Sequence, residues 1–436
     1  MTTEPTAPSL PRAPLGDPQL RRLVMGQGLA AVVDALFLIW LTLFVLELSE
    51  PGIATGLVLL AVALPRAVLL LPAGVLVDRV GPARITAVAA WLRVAVLLTL
   101  ATLVTFTPPS VATVALLAGL LGAADAAYFP GALALLPAVV PTGKLARVNA
   151  LVQGAESTGD LVGPAVAAGA VAAVGFEATL GGIAAMAALA AVALSTLTRP
   201  VRHGQSAAED TKDGNTEDGD TRARDRDGAG PDVFDGDQLG NARALAAGLR
   251  YAWHQPLVRG MLAAVALINI TVVGPVLVGG AVLADQRLGG AGSLGVVLSG
   301  FGAGSLVGSL LAGWRPPARR GWTVVGGVAA IGAGMAGLAA VTQVVAATAV
   351  LSLIGLGSGF LGVVIVATLQ ERVPRHLLGR VLSLVVLATV AFDPFSYVLA
   401  GLLLPYGTTT LFLLCGSAVL ACAALVAAIP AIRSLR

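Results

Sequence analysis

Ionisable side chains embedded in long apolar stretches are the first feature of this sequence that suggests chemistry. A charged group at the centre of a membrane-spanning helix costs about 2.5–3.5 kcal/mol, so each one requires a partner, water or a function. The first half of the chain holds four such carboxylates against two arginines, and the second half holds one carboxylate. The residues are Asp34, Arg66, Arg93, Asp125, Glu156, Asp160 and Asp393.

The surplus of carboxylates in the first half predicts proton carriage. A carboxylate in apolar surroundings holds its proton close to neutral pH, as a proton carrier must. Asp34 and Asp125 are expected near the middle of their spans and are the first candidates for proton coupling, with Glu156 as the third. Arg66 and Arg93 are their candidate charge partners. The alternative is that these arginines only neutralise two carboxylates and fix the helices together.

The remaining carboxylates are compatible with a structural role. Asp160 precedes Gly163-Pro164, where we expect a helix break, and Asp393 occupies the corresponding place in the second half. Each is expected to bond to backbone groups that such a break sets free. Candidates for lining a cavity are Gln27, Tyr128, Asn269 and Asp393, with simple packing as the alternative for each.

The composition indicates a membrane protein with many spans. Of the 436 residues, 57% are hydrophobic and only 12% are charged, and the mean hydropathy is +0.89. A soluble chain carries about 25% charged residues. The basic residues are scattered, which argues against nucleic-acid binding. The sequence contains no P-loop pattern, which argues against a built-in ATPase. The spacing of the histidines does not suit a metal, so we expect no metal site. We also expect no cofactor and no enzymatic activity.

A hydrophilic segment divides the chain into two apolar halves. Between Arg199 and Arg259 the sequence holds nine Lys/Arg and eleven Asp/Glu, and we expect a solvated linker there. At about 20 apolar residues per helix, each half holds six spans, which gives an all-α protein with twelve transmembrane helices. The expected order is a disordered cytoplasmic tail at 1–22, a six-helix half at 23–198, the linker at 199–257 and a second six-helix half at 258–436. The expected spans are 23–46, 56–77, 85–106, 111–140, 148–174, 178–198, 258–284, 294–314, 322–342, 345–370, 381–404 and 408–431.

Positive charges predict the orientation of these spans. With the N-terminus inside, the cytoplasmic segments other than the linker hold fifteen Lys/Arg, and the external loops hold only Arg287. This bias places both termini in the cytoplasm. Arginine also greatly outnumbers lysine, which suggests a high-G+C bacterial gene. We therefore expect a multi-pass protein of the bacterial inner (plasma) membrane.

The two halves repeat each other. The segment from Val140 to Asp160 aligns without a gap on the segment from Val373 to Asp393, and the two share the pattern V-P-x3-L-x-R-V-x2-L. Two six-span repeats in the same orientation are the plan of major facilitator proteins.

Two motifs extend this resemblance. The stretch GVLVDRVGPAR from Gly74 to Arg84 resembles the major facilitator signature between spans two and three, and Gly159-x3-Gly163-Pro164 is similar to the antiporter motif of span five. Over residues 20–430 the chain resembles twelve-span drug:proton antiporters, among them macrolide-efflux and enterobactin-exporter-like proteins. The resemblance implies conformational gating by Gly74, Asp78, Arg79, Gly81, Arg84 and Arg380, and an antiporter-motif role for Gly159, Asp160, Gly163 and Pro164.

The function implied by this resemblance is secondary transport. The protein is expected to export small amphiphilic or apolar molecules, as in drug or metabolite efflux, in exchange for protons. Its expected partners are the lipid bilayer, the small-molecule substrate and protons, and the chain is expected to be a monomer. One departure concerns span four, which has Asp125 but lacks the arginine of many drug antiporters, so that arginine's proton role does not carry over. The alternatives are proton-coupled uptake of a small solute and, further off, a membrane receptor or enzyme.

Overall fold

The computed structural model describes residues 18–49, 52–107, 109–140, 142–197, 249–314 and 319–433. These described residues are almost all helical and include no strand. Eleven helical segments among them are long and apolar enough to cross a membrane. The expected all-α membrane fold is therefore confirmed.

The first half begins with four separate spans, followed by a long helical hairpin. Gly81 has a φ of 98°, which glycine adopts without strain, and it joins spans 2 and 3 in a tight turn. The Ser110 hydroxyl accepts a hydrogen bond from the Thr113 backbone N–H at 3.2 Å and caps span 4. The bounds are Pro18–Leu48 for span 1, Ile53–Val80 for span 2, Pro82–Phe106 for span 3, Val111–Val139 for span 4 and Thr142–Ser195 for spans 5 and 6 together.

Spans 5 and 6 reverse direction at Gly175, whose φ of 83° and ψ of 173° are not helical. Contacts with span 1 show the reversal. A Cβ on Gly26 would lie 2.8 Å from Leu194, and a Cβ on Gly28 would lie 2.9 Å from Ala155. Both arms of the hairpin therefore pass the same level of span 1. With the arms counted separately, the chain has the predicted twelve spans in two halves of six.

Trp40 of span 1 holds this reversal in place. Its indole Nε1 donates a hydrogen bond to the Phe176 carbonyl oxygen at 2.9 Å. The ring stacks on Phe44, with the two centroids 4.6 Å apart. Aromatic pairs of this kind contribute about 0.5–1.5 kcal/mol beyond their buried area.

The helix break expected at Gly163-Pro164 is wrong. Helical backbone continues through both residues, and Gly175 is the non-helical residue of the segment. Close packing explains this glycine, because a Cβ on Gly163 would lie 2.7 Å from the Ala35 Cβ of span 1. The motif therefore brings spans 1 and 5 together rather than interrupting span 5.

Spans 7 and 11 are irregular, whereas spans 8, 9, 10 and 12 are continuous helices. Span 7 passes through two π-helical segments on either side of Gly274, and span 11 is interrupted at Ala391 and Phe392. Span 7 consists of Pro256–Ile268, Asn269–Val273, Pro275–Gly279 and Gly280–Arg287; spans 8 to 10 are Ala291–Trp314, Arg320–Leu338 and Val344–Arg372; span 11 is Arg375–Val390 and Asp393–Leu403; and span 12 is Thr408–Ala428.

Several expected boundaries need correction. Span 1 begins at Pro18, inside the expected tail, and the end of the expected linker is helical at 249–254 and from Pro256 onwards. Span 11 begins at Arg375 rather than 381, because Pro374 occupies the position before its first turn. The rest of the expected tail, 1–17, and of the expected linker, 199–248, lies outside the described residues.

The two halves meet mainly along two pairs of spans. A Cβ on Gly56 of span 2 would lie 2.7 Å from the Tyr397 carbonyl oxygen of span 11, and a Cβ on Gly295 of span 8 would lie 2.7 Å from the Pro164 carbonyl oxygen of span 5. Both contacts lie towards the end of the bundle that holds the turn at Gly175. We call this the Gly175 end, and we call the opposite end, where span 1 begins, the terminal end.

Spans 2 and 11 diverge towards the terminal end. Gly74 follows Gly56 by about five helical turns and therefore lies on the same face of span 2. Among the described residues, nothing lies within 4 Å of a Cβ built on Gly74. The first helix of span 11, Arg375–Val390, packs on spans 7 and 10. The pair is thus closed at the Gly175 end and open at the terminal end.

Small residues allow close helix packing inside the second half. A Cβ on Gly300 of span 8 would lie 2.8 Å from the Ser352 Oγ of span 10, and a Cβ on Gly304 would overlap the Ser352 carbonyl oxygen. On span 12, Cys415 and Cys422 are buried free thiols.

Candidate functional site

Arg93 of span 3 lies between two carboxylates from neighbouring spans. It forms an ion pair with Asp34 of span 1 through Nη2. Its Nε lies 2.9 Å from the Asp125 Oδ1 of span 4, although the N–H direction does not satisfy hydrogen-bond geometry there. The structure therefore brings together two of the three proposed proton-coupling residues around a single cation. We call Asp34, Arg93 and Asp125 the Arg93 cluster.

Tyr128 completes the surroundings of the guanidinium. It lies one helical turn after Asp125, and its ring centroid is 4.8 Å from the Arg93 Cζ, within cation–π range. Arg93 and Tyr128 line a small cavity, which is also bounded by short side chains from spans 1, 3 and 6, including Ala30, Ala90 and Ala187. Such short side chains leave Arg93 room to remain in the interior of the first half.

The three members of the Arg93 cluster differ in exposure. The Arg93 side chain is 4% exposed, Asp125 is 14% exposed and Asp34 is 47% exposed. Asp34 is therefore the most exposed member of the cluster. If both carboxylates are ionised, the cluster carries one net negative charge.

Arg66 of span 2 is not part of the Arg93 cluster. Its guanidinium Cζ lies 5.7 Å from the Phe129 ring centroid, and its buried Nε has no hydrogen-bond partner among the described residues. Asp393, at the start of the second helix of span 11, lies within electrostatic range of Arg66 across the boundary between the halves. The two arginines predicted as equivalent charge partners therefore have different surroundings.

Ser396 links the irregular parts of spans 7 and 11, a role that the sequence analysis missed. Its buried hydroxyl accepts a hydrogen bond from the Gly274 N–H at 2.7 Å and donates one to the Ile270 carbonyl oxygen at 2.7 Å. It thereby satisfies backbone groups in the π-helical region. Asp393 was predicted to bond to freed backbone, but it makes no such bond in the described part of the chain. The sequence feature that could have indicated these irregular regions is a proline inside each of two apolar stretches, Pro275 and Pro394.

Two of the proposed cavity residues bond to backbone. The buried Gln27 donates from Nε2 to the Ala132 carbonyl oxygen at 3.0 Å and so ties span 1 to span 4. Asn269 donates from Nδ2 to the Val265 carbonyl oxygen of its own span at 2.9 Å. Both side chains therefore support the helix packing in this conformation.

The described motif residues lie at the end of span 2, in the turn that follows it and on span 5. Gly81 forms the turn after span 2, with the exposed Arg79 and Arg84 on either side of it. Gly159 packs against span 1, where its Cβ would lie 3.4 Å from the Val32 Cα. Side chains that lie outside the described part of the structure are those of Asp78, Glu156, Asp160 and Arg380.

Comparison with known proteins decides the family. The sequence profile of the Major Facilitator Superfamily matches residues 23–391 of this chain. The protein belongs to that superfamily. This MFS protein is also 28% identical over 414 residues to an uncharacterised MFS-type transporter of Sinorhizobium fredii (strain NBRC 101917 / NGR234), and the match covers 92% of each chain.

Solved structures share the fold of this MFS protein at low sequence identity. A peptide transporter POT in complex with sulfate has a TM-score of 0.69 and 15% identity, over 97% of this chain and 96% of that one. A variant of the nucleoside transporter NupG has a TM-score of 0.65 and 13% identity, over 94% of this chain and 100% of that one. The chain is thus a multi-pass membrane transporter of a small molecule, and not an enzyme.

Proposed function

We propose that this MFS transporter exports small amphiphilic or apolar molecules in exchange for protons, by alternating access. The Arg93 cluster carries the proposal, because two carboxylates share one cation and one of them is accessible. Arg93 balances only one ionised carboxylate, so the second charge favours either a proton or another partner. Such a site suits exchange, in which protonation and substrate occupancy bias the same conformational equilibrium.

The exposed face of Asp34 supports access from a water-filled space. A carboxylate that faced lipid would carry the cost of a charge in hydrocarbon. Span 1 also contacts the Pro275–Gly279 segment of span 7, on the other side of the boundary between the halves. We therefore place Asp34 on the wall of the space between the halves. With both termini in the cytoplasm, as the positive charges predict, the terminal end faces the cytoplasm and this conformation is inward-open.

The second half supports a substrate with a large apolar surface. Asp393 is the single acidic residue within its expected spans, which otherwise consist mainly of Ala, Val, Leu and Gly. An apolar wall binds by buried area, at about 25 cal/mol per Å², and accepts many shapes. The charged first half thus carries proton coupling, and the apolar second half contacts the substrate. We place the transporter in the bacterial inner membrane as a monomer.

Substrate-induced proton release from purified protein tests this proposal. Adding a lipophilic drug in detergent should release protons from the parent, and neither Asp34→Asn nor Asp125→Asn should show the same release. Asp285→Asn is the control, because Asp285 is an exposed acid near the Gly175 end. Release that persists in both cluster variants would show that the carriers lie elsewhere, with Glu156 as the next candidate.

Inverted membrane vesicles test the direction of transport. An imposed proton gradient should drive the drug into the vesicles containing the parent protein, and both cluster variants should lose this accumulation while still binding some drug. Drug movement out of the vesicles, together with protons, would instead support proton-coupled uptake.

A further inference from the structure

Spans 2 and 11 each carry one ionisable residue just beyond the region where they touch. At the Gly175 end, Gly56 packs against Tyr397 and Gly401 across the boundary between the halves. Arg66 lies about 15 Å further along span 2 towards the terminal end, and Asp393 lies about 6 Å from Tyr397 in the same direction along span 11. Both residues therefore lie where the two spans begin to diverge.

Neither residue has a direct ionic partner among the described residues. Arg66 and Asp393 form no salt bridge within the described residues. The Arg66 Nε is also buried without a hydrogen-bond partner, while the guanidinium lies near the Phe129 ring. An unpaired guanidinium and an unpaired carboxylate at this depth are both unfavourable. By contrast, Arg93 is already paired inside its own half, so a rigid movement of the halves leaves its contacts unchanged.

We propose that Arg66 and Asp393 form a direct ion pair across the halves when the terminal end closes, and that this pair stabilises the alternate conformation. Rocking that separates Gly56 from Tyr397 brings the diverging parts of spans 2 and 11 together. Gly74 provides the room for this approach, because it is open on the face that would meet span 11. The inference rests on alternating access but on neither the substrate nor proton exchange.

Cysteine accessibility at the two ends tests the pair without substrate. Gly52 is buried at the Gly175 end, and among the described residues a Cβ there would meet only Pro405 of the other half, at 4.0 Å. Gly52→Cys should therefore react with a membrane-impermeant maleimide only when this end opens. Gly74→Cys reports the terminal end. The natural cysteines, Cys415 and Cys422, are buried.

The expected result is a loss of reactivity at Gly52→Cys. Arg66→Gln and Asp393→Asn should each lower its labelling rate about fivefold or more, because the open Gly175 end becomes less populated. Gly74→Cys should label at the parent rate or faster, which separates a population shift from misfolding. Arg66→Gln combined with Asp393→Asn should lower the labelling rate no further than either change alone. Arg66→Lys keeps the positive charge and should retain the parent labelling rate.

Exchange of the two charges decides the inference. Arg66→Asp combined with Asp393→Arg should restore much of the Gly52→Cys labelling that either single reversal removes. If Arg66→Gln and Asp393→Asn leave the labelling rate of Gly52→Cys unchanged, the proposed ion pair is wrong. Single losses that the exchange does not restore would also overturn it, because each residue would then act alone. Failed drug export with a restored labelling rate would count against the proposed function and leave this pair intact.

Discussion

The backbone N–H of Gly274 donates a hydrogen bond to the hydroxyl of Ser396 at 2.7 Å, which joins the irregular part of span 7 to that of span 11. The backbones approach so closely here that a Cβ on Gly274 would overlap Ser396. Each of these two spans is irregular within the membrane, and the Ser396 hydroxyl of span 11 satisfies backbone hydrogen-bonding groups of span 7. The pair should move as one body during transport, because separation would leave buried backbone groups without partners.

Ser396→Ala should destabilise the protein by about 1–3 kcal/mol, because it leaves the Gly274 N–H and the Ile270 carbonyl buried without this partner. Thermal unfolding in detergent should show a lower midpoint. Ser358→Ala is the matched control, since the Ser358 hydroxyl bonds only within its own helix, to the Ile354 carbonyl oxygen. Equal midpoints for the two variants would contradict the bridging role.

Arg93→Gln should move the pH dependence of transport to higher pH. Without the guanidinium, Asp34 and Asp125 lose the positive charge that they share and that favours their ionised forms. Proton-driven drug accumulation, measured over a range of pH, gives the profile. Arg22→Gln removes a charge from the exposed surface near the start of span 1 and should leave the profile unchanged. An unshifted Arg93→Gln profile would show that this cluster does not carry the transported proton.

Asp78→Asn should slow turnover without abolishing substrate binding. The resemblance to related transporters implies that this aspartate meets the start of span 11 when the terminal end is closed, where a helix dipole attracts an anion by about 0.3–1 kcal/mol. Span 11 begins at Arg375, so the contact is expected at that turn rather than at Arg380. Turnover rate and cysteine accessibility at the start of span 11 measure the effect. An unchanged turnover rate and unchanged accessibility would contradict it.

Gly304→Val should weaken the contact between spans 8 and 10. Its Cβ would overlap the Ser352 carbonyl oxygen, and overpacking of this kind costs about 1–3 kcal/mol. Gly313→Val is the control on the same span, because nothing among the described residues lies within 4 Å of its Cβ. The difference in unfolding midpoint between the two variants isolates the helix contact.

The sequence predicts the twelve spans because each requires a long apolar stretch, which hydropathy detects directly. It does not predict the irregularities of spans 7 and 11, since a π-helical turn depends on a partner such as Ser396 from another span. Gly163-Pro164 was expected to break its helix, but contact with Ala35 of span 1 favours a continuous one.

The pairing of charges also depends on tertiary structure. The sequence identifies two arginines and several carboxylates inside the membrane, but it does not say which spans are neighbours. Arg93 proves to lie between Asp34 and Asp125, whereas Arg66 lies outside that cluster, beside the Phe129 ring. Spacing along one chain could not distinguish these two environments.

The burial of Cys415 and Cys422 within span 12 has a practical consequence. Thiol reagents that stay in water should leave the natural chain almost unlabelled. A single introduced cysteine would then give the whole signal in fluorescence or spin-label measurements, without prior removal of native thiols. The unaltered sequence therefore offers a silent background on which the movement of each span can be recorded.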